Sequence, residues 1–288
     1  MNARLAPDYG SITTITALPN GIHEGVLAEI YHRKELGVVN CGALKELAKT
    51  PKHYRAWLSA TEQHETPALL FGRALHALVL EPDLFAREWA QQPEFGDLRT
   101  KAGKERRDDW LSMHRGVTAV SADDWQRLQA MRDAVMAHPI AGKLFTGGVA
   151  ESTAIWTDPE HGLLCKARMD YYVASRGLVI DLKSTEDASE SAFARSVATY
   201  RYHVQHAHYA SAFQSLGHEL RAFLFVAVEK TAPFAVNVMC LDADAEARGM
   251  ELRDRDMVTL NRCLQTDTWP GYEPTIHRLA LPRWALND

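Results

Sequence analysis

The sequence predicts a mixed α/β protein with a central mixed β-sheet flanked by helices. Near the middle of the chain, residues 151–157 and 163–172 alternate in the manner of strands. Residues 178–182 form a short apolar run rich in β-formers. Segments with apolar residues at helical spacing precede and follow these strands. This order of helices and strands along the chain indicates a layered fold around one sheet.

Helices are predicted in three stretches before the strands. Residues 40–58 carry apolar side chains at helical spacing, but an internal Thr-Pro pair interrupts them, so two short helices are expected. A longer helix is predicted over 67–80 and stops at the following Glu-Pro pair. Residues 123–138 predict another helix, with Ser121 as its N-cap and a proline beyond its end.

The strands are joined by short turns, and helices and a hairpin follow them. Turn residues at 158–162 and 174–177 predict three consecutive antiparallel strands. A continuous helix is predicted over 189–216, closed by Gly217. Two further strands and a last helix are expected over residues 221–229, 234–241 and 243–264.

The chain of 288 residues contains no internal repeat, low-complexity tract or Gly/Ser linker. We therefore expect one domain over 21–288, preceded by an arm or tail over 1–20. The apolar runs are too short to cross a bilayer, and the N-terminus lacks a secretory pattern. The four scattered cysteines form no CxxC pair. They are expected to be free thiols of a cytoplasmic protein without a membrane partner.

The formal net charge of -5 neither indicates nor excludes a nucleic-acid binder. A carboxylate-lined site and an acidic exterior can outweigh a local basic groove. Residues 99–107 form the one strongly basic stretch, and a solvated helix start or loop explains it equally well.

Two aspartates and a lysine form the main chemical pattern. Asp170 lies in the second predicted strand, and Asp181 and Lys183 lie in the third, with the spacing D-x₁₀-D-x-K. Side chains alternate along a strand, so Asp181 and Lys183 share a face while Leu182 points into the core. A hairpin can bring the two carboxylates together, where Mg²⁺ or Mn²⁺ would offset their repulsion. The lysine could then orient water or stabilise phosphate charge; a simple strand-end ion pair is the alternative.

His76 and Glu151 are further candidates. His76 follows Gly72 by one helical turn on the same face, and the glycine leaves room for another element or a substrate. Neutral imidazole can ligate Mn²⁺ and is acceptable in Mg²⁺ sites. Glu151 opens the first predicted strand, where a third acid could bind metal directly or through water. The alternatives are a structural histidine and a solvated glutamate.

A polar stripe is predicted on the helix that follows the third strand. Arg201, Gln205 and Tyr209 lie four residues apart and would share one face of a continuous helix. Donors and an aromatic ring on one stripe suit a phosphate backbone. Packing of these side chains under the sheet is the competing interpretation.

Taken in order, these residues resemble the RecB-like branch of the PD-(D/E)XK nucleases. The shared pattern is a Gly-x₃-His helix, a glutamate, an aspartate, a D-x-K strand and a Gln-x₃-Tyr helix. More narrowly, the chain resembles the prophage RecE-type exonucleases over residues 20–288. The segments that carry this narrower resemblance are Leu80-Glu81-Pro82, Pro93-Glu94-Phe95, 99–105, Ala150-Glu151-Ser152, 200–205 and 281–285.

The resemblance implies a restriction-endonuclease-like core with a metal site for Mg²⁺, for which Mn²⁺ could substitute. By this resemblance four groups would hold metal: His76, Asp170, Asp181 and the carbonyl of Leu182. Four side chains would be catalytic: Lys183, Glu151, Asp170 and Asp181. Four would contact or support DNA: Gln205, Tyr209, Thr185 and Arg201.

The resemblance also implies an activity and partners. The expected enzyme digests double-stranded DNA from 5′ ends and leaves 3′ overhangs for recombination by strand annealing in a bacterial host. A closed ring of identical subunits is expected, with four preferred over three, and a single-strand annealing protein as partner. One departure is visible, because relatives often have serine where this chain has Asn40-Cys41-Gly42, and a thiol is a poor donor.

Two other functions are compatible with this pattern. One is a related RecB-like nuclease that acts on other ends or on junctions. The other is a catalytically inactive DNA-binding phage protein built on the same fold. The presence of Asp170, Asp181 and Lys183 favours an active enzyme.

Overall fold

The computed structural model describes residues 12–60 and 66–281. Its helices are α1 Ala28–Tyr31, α2 Cys41–Leu47, α3 Pro51–Ser59, α4 Pro67–Leu80, α5 Pro82–Glu88, α6 Lys101–Met113, α7 Ala122–Ala137, α8 Ala141–Leu144, α9 Glu190–Tyr200, α10 Tyr202–Leu216 and α11 Ala243–Thr266. Its strands are β1 Gly21–His23, β2 Val38–Val39, β3 Trp89–Gln91, β4 Thr118–Val120, β5 Val149–Thr157, β6 Leu164–Val173, β7 Leu178–Thr185, β8 Ala222–Glu229 and β9 Val236–Met239.

The main sheet is mixed and has the strand order β1-β5-β6-β7-β8-β9. Strands β5, β6 and β7 form the predicted antiparallel meander. Strand β8 pairs parallel with β7, and β9 returns antiparallel beside β8. A parallel neighbour requires a crossover, which α9 and α10 provide. The short β2 pairs parallel with the start of β6, and β3 and β4 form a separate parallel pair.

Helices cover both faces of this sheet. On one face, α2, α3, α10 and α11 pack around core residues such as Trp156, Met169 and Phe225. On the other face, α4, α5, α7 and α8 pack around Ile180 and Leu182. The prediction of a central mixed sheet flanked by helices is confirmed.

Strand β7 shows why the sequence has a nearly continuous apolar run at this point. Val179 joins the core on one face, whereas Ile180 and Leu182 join the core on the other. A strand covered on both faces buries every side chain and therefore loses the polar alternation. Asp181 and Lys183 are the charged residues of the strand, and both contact α10 through Gln205.

Local signals explain where the helices begin. Thr66 caps α4 by accepting a hydrogen bond from the backbone N–H of Leu69, and Pro67 occupies the first turn. Ser121 caps α7 through the N–H of Asp124, as predicted. The predicted interruption between 40 and 58 is also present, because Thr50 caps α3 after α2 has ended.

The prediction of one helix over 189–216 is wrong. The chain leaves the helix at Arg201, whose φ of 63° is left-handed, and α9 and α10 lie on either side of it. The guanidinium of Arg201 contacts a carboxylate oxygen of Asp256 at 2.5 Å, and it donates to the carbonyl of Leu44 at 3.4 Å. Helix α11 packs closely here, because a Cβ at Gly249 would come within 2.1 Å of the His203 carbonyl oxygen. Tertiary contacts thus override the helical periodicity.

Several elements were not predicted, including β1, α5, α6 and the β3–β4 pair. Within the predicted arm, Ile15 is buried, and just after the arm β1 pairs with β5 at the edge of the sheet. Residues 1–11 and the predicted motif at 282–285 lie outside the described residues. No helix within 12–60 and 66–281 is long and apolar enough to span a membrane.

Candidate metal centre

The strand register brings three acidic residues into one row across the sheet. Ala150 pairs with Tyr171 and Ser152 pairs with Met169, which sets Glu151 of β5 opposite Asp170 of β6. The antiparallel pairing of β6 with β7 ends at Tyr171 and Ile180, so Asp170 and Asp181 are the next residues on the two strands. Residues opposite each other on neighbouring strands lie close together. The row therefore gathers carboxylates that are far apart in sequence.

His76, Glu151 and Asp170 form a group with the geometry of a cation site. One ligand atom from each lies within 4.8 Å of the other two. His76 Nδ1 is 3.7 Å from Asp170 Oδ2. Carboxylate oxygens with one imidazole suit Mn²⁺ and Mg²⁺. The space next to Gly72, one turn earlier on α4, is open, since an added Cβ would meet no atom within 4 Å.

The peptide groups of Leu182 hold two members of this group in place. Asp170 Oδ2 accepts a hydrogen bond from the Leu182 N–H at 2.8 Å. His76 Nε2 lies 2.9 Å from the Leu182 carbonyl oxygen. A carbonyl only accepts, so Nε2 carries a proton, and Nδ1 is the ring nitrogen that faces Asp170. A backbone carbonyl that orients an imidazole in this way is a common arrangement behind metal-binding histidines.

Asp181 is almost fully buried, at 1% exposure, and it has two partners of its own. Its Oδ2 is 2.5 Å from Lys183 Nζ, and its Oδ1 accepts from Gln205 Nε2 at 2.6 Å. Burial raises the pKa of Asp181 to about 6, against the opposing effect of Lys183. Among the described residues, Oδ2 has no well-aligned hydrogen-bond donor. This buried oxygen is thus incompletely satisfied.

Lys183 is the cationic residue next to the acidic row. Burial alone would lower its pKa, but the carboxylates of Asp181 and Asp170 outweigh burial and raise that pKa. Its Nζ is 3.4 Å from Gln205 Oε1 and lies 4.5 Å above the centre of the Tyr202 ring. The lysine is therefore a permanent positive charge beside the acidic row.

Glu151 is a second acid whose surroundings raise its pKa strongly. Burial and the neighbouring Asp170 carboxylate raise the pKa of Glu151 to about 7. Arg168, two residues before Asp170, places Nε 3.8 Å from Glu151 Oε2 and only partly offsets this effect. Glu151 also has a left-handed backbone with φ of 52°. Two close carboxylates in a buried setting fit a divalent cation, which would favour the charged form of both.

The four residues predicted to contact or support DNA fall into different settings. Gln205 connects Asp181 and Lys183, and Thr185 lies at the end of β7, where its hydroxyl donates to the Asp187 carbonyl. Tyr209 is buried and donates to the carbonyl of Arg168. Gln205 and Tyr209 share α10, but Arg201 precedes that helix and pairs with Asp256. The expected three-residue stripe is therefore not formed, and the DNA contacts stay predictions.

The segment Asn40-Cys41-Gly42 lies beside the row. Asn40 caps α2 through the N–H of Ala43, and Cys41 is the first helical residue. Burial raises the pKa of the Cys41 thiol to about 12. The thiol is therefore neutral, in keeping with its weak donor character.

Sequence reasoning missed Arg168 and Tyr202 as neighbours of the site. Arg168 shares a face of β6 with Asp170, two residues away, so strand periodicity could have identified it. Tyr202 lies three residues before Gln205 on α10 and contacts Lys183 as Gln205 does, so helical spacing from Gln205 could have identified it.

Comparison with protein families identifies the chain. Residues 40–277 match the model of a PDDEXK-like domain of unknown function, DUF3799. The chain belongs to this family. Nucleases of the PDDEXK type generally depend on divalent metal ions, in agreement with the His76, Glu151 and Asp170 group. The match supports the PD-(D/E)XK superfamily but does not single out its RecE-type members.

The fold of this chain also occurs in a solved structure of low sequence identity. A crystal structure from Eubacterium rectale, named "Putative exonuclease", is 15% identical with a TM-score of 0.60, over 91% of this chain and 97% of that one. A phage-related exonuclease from Haemophilus somnus 129PT is 13% identical with a TM-score of 0.28, over 61% of this chain and 92% of that one. The structure from Eubacterium rectale shows that the two chains share a fold. No curated protein matches the sequence.

Proposed function

We propose that this PDDEXK-like protein is a Mg²⁺-dependent exonuclease of the RecE type, similar to exonuclease VIII. It would digest one strand of duplex DNA from the 5′ end and leave a 3′ overhang for strand annealing. The observation that carries the proposal is the row of Glu151, Asp170 and Asp181, joined by His76 on one side and Lys183 on the other. Family membership supports nuclease chemistry, and the polarity rests on the sequence resemblance.

The residues that would hold the ion are His76 through Nδ1, together with Glu151 and Asp170. Asp181 and the Leu182 carbonyl are proposed to join them. Asp181 has an incompletely satisfied oxygen to offer, and a carbonyl oxygen has a second lone pair beyond the one that His76 uses. When bound, a divalent ion would supply water activation and Lewis-acid stabilisation of the phosphate.

The chain's own groups supply positioning and charge. Lys183 presents a fixed positive charge for the scissile phosphate as negative charge develops on it. Gln205 holds both Asp181 and Lys183, so it keeps the two at a constant separation. Leu182, through its N–H and carbonyl, fixes Asp170 and His76. Such preorganisation lowers the cost of rearrangement during the reaction.

Assembly is part of the proposal. An acidic chain with net charge -5 can hold DNA if the charge that faces a central channel is basic. We therefore propose a closed ring of identical subunits around the duplex, with four preferred over three. The proposed setting is the bacterial cytoplasm, and the proposed partner is a single-strand annealing protein. Mass measurement in solution at micromolar concentration tests the ring, and a monomer that still degrades long duplexes without dissociating would exclude it.

One experiment tests the enzymatic proposal directly. A linear duplex is labelled at either the 5′ or the 3′ end and incubated with the protein, with and without Mg²⁺. Early release of the 5′ label, only with Mg²⁺, is the expected result. Release of the 3′ label first would indicate a related nuclease of other specificity. Binding without any digestion in Mg²⁺ or Mn²⁺ would indicate an inactive DNA-binding protein.

A further inference from the structure

The break at Arg201 places two tyrosine rings face to face beside the acidic row. Tyr200 ends α9 and Tyr202 begins α10. Their ring centres are 5.7 Å apart with an interplanar angle of 28°, which is a stacked arrangement. In a continuous helix, residues two apart point in different directions and cannot stack. The stack therefore exists because Arg201 leaves the helix.

The stack continues inward and reaches the proposed catalytic lysine. Tyr202 also stacks on Phe225 of the core, with 5.9 Å between ring centres and an angle of 30°. Lys183 Nζ lies 4.5 Å from the centre of the Tyr202 ring. The Tyr202 ring thus contacts Phe225, Tyr200 and Lys183.

The Tyr200 ring is exposed, and the ammonium group of a lysine lies over it. Tyr200 is 53% exposed, and Lys45 Nζ lies 5.6 Å from the centre of its ring. A cavity of about 150 Å³ opens at this position. Cys41, Lys45, Tyr200, Tyr202 and Gln205 are among the residues that line it. Gln205 also binds Asp181, so the cavity adjoins the acidic row.

The backbone that presents these rings is held by specific contacts. A left-handed conformation is unfavourable for any residue with a Cβ, so the fold must stabilise Arg201 in it. Asp256 and the carbonyl of Leu44 do so by binding its guanidinium. Leu44 and Lys45 are consecutive in α2, so this helix both fixes the break and supplies the cation next to Tyr200.

We propose that Tyr200 is a stacking platform for a nucleobase of the DNA strand that enters the acidic row. A base has an apolar face of the size of a tyrosine ring, and base–aromatic stacking is tolerant of sequence, as a general exonuclease requires. Lys45 beside the ring suits the phosphate of the same nucleotide. The inference rests on the proposed nuclease function, since it deepens the account of how that site holds its substrate.

The test separates binding from cleavage by working in EDTA. The probe is a single-stranded oligonucleotide of about twelve nucleotides, a length within the range of binding-site sizes of single-strand-binding proteins. It carries the fluorescent adenine analogue 2-aminopurine, whose emission falls when the base stacks on an aromatic ring. We compare the unmodified protein, Tyr200→Ala, Tyr200→Phe and Tyr272→Ala. The last variant is a matched control, since Tyr272 is also exposed but packs beside His53 on α3.

The expected result is loss of quenching and roughly ten-fold weaker binding in Tyr200→Ala. Tyr200→Phe and Tyr272→Ala should quench and bind like the unmodified protein, and all melting temperatures should agree closely. Unchanged quenching and affinity in Tyr200→Ala would overturn the proposal. Equal losses in Tyr200→Phe would also overturn it, because the hydroxyl rather than the ring would then bind. Failure of the nuclease proposal would show separately, as an absence of digestion by the unmodified protein in Mg²⁺.

Discussion

His76 Nε2 lies 2.9 Å from the carbonyl oxygen of Leu182, although 106 residues separate the two in sequence. This hydrogen bond connects α4 to β7, the strand that contains Asp181 and Lys183. It also sets the imidazole so that Nδ1 faces Asp170. The site therefore depends on the packing of α4 against the sheet as well as on the meander of β5, β6 and β7.

Replacing either central aspartate should abolish cleavage while the protein stays folded. Asp170→Asn keeps an oxygen that can accept from the Leu182 N–H, and Asp181→Asn keeps one that can accept from Gln205. Each substitution removes a charge that a divalent ion requires. Digestion rate in Mg²⁺, duplex affinity and melting temperature are measured together. Normal turnover by either variant would exclude that aspartate from the metal centre.

Lys183→Ala should lower turnover by about two orders of magnitude or more, the effect of removing one charged transition-state donor. The affinity for Mg²⁺ should change little, because lysine supplies no metal ligand. Rates at saturating Mg²⁺ and calorimetric metal titration measure the two effects separately. If the variant loses metal but keeps its rate when saturated, Lys183 serves the metal and not the phosphate.

His76→Ala should weaken metal binding or activity more than it lowers stability. The imidazole is partly exposed, so little apolar packing is lost, whereas its Nδ1 is one atom of the candidate ligand group. Mn²⁺ affinity, activity across a range of Mn²⁺ concentrations and the melting temperature are measured for the variant and for the unmodified protein. A collapsed melting temperature with full activity in the remaining folded protein would make His76 a structural residue.

Arg201→Ala should lower the free energy of unfolding by about 2 kcal/mol, since it removes one of the two arginines that pair with the buried Asp256 carboxylate. Asp256 is almost fully buried, and Arg201 is its partner from the break between α9 and α10. In the double variant Arg201→Ala with Asp256→Ala, the decrease in the free energy of unfolding should be smaller than the sum of the decreases in the two single variants. Denaturant unfolding gives these energies. Additive losses would show that the two side chains do not interact in solution.

The C-terminal segment should contact a single-strand annealing protein. Trp269 packs onto Tyr54, but Tyr272 is 76% exposed, and exposed aromatic residues are favoured interface anchors. Calorimetry with the cognate annealing protein should show weak, specific binding that is reduced by substitutions within 269–288. Trp284 also belongs to this segment but lies outside the described residues. Binding that survives those substitutions unchanged would place the docking site elsewhere.

Local periodicity and turn chemistry specify several elements of this fold directly in the sequence. The meander follows from alternation and turn residues, and α4 follows from its proline start and helical spacing. The shared face of Asp181 and Lys183 follows from the two-residue period of a strand, and the structure agrees. The mixed sheet between helices could be predicted for the same reason.

How these elements meet depends on the pairing of strands and the packing of helices onto the sheet. Register across three strands sets Glu151 opposite Asp170, and the docking of α4 brings His76 to both. The helix break at Arg201 depends on Asp256, 55 residues away, and on the close approach of α11. The surrounding sequence favours helix at that position, but a buried ion pair and helix packing outweigh local propensity. Such contacts join residues distant in sequence, so no local pattern contains them.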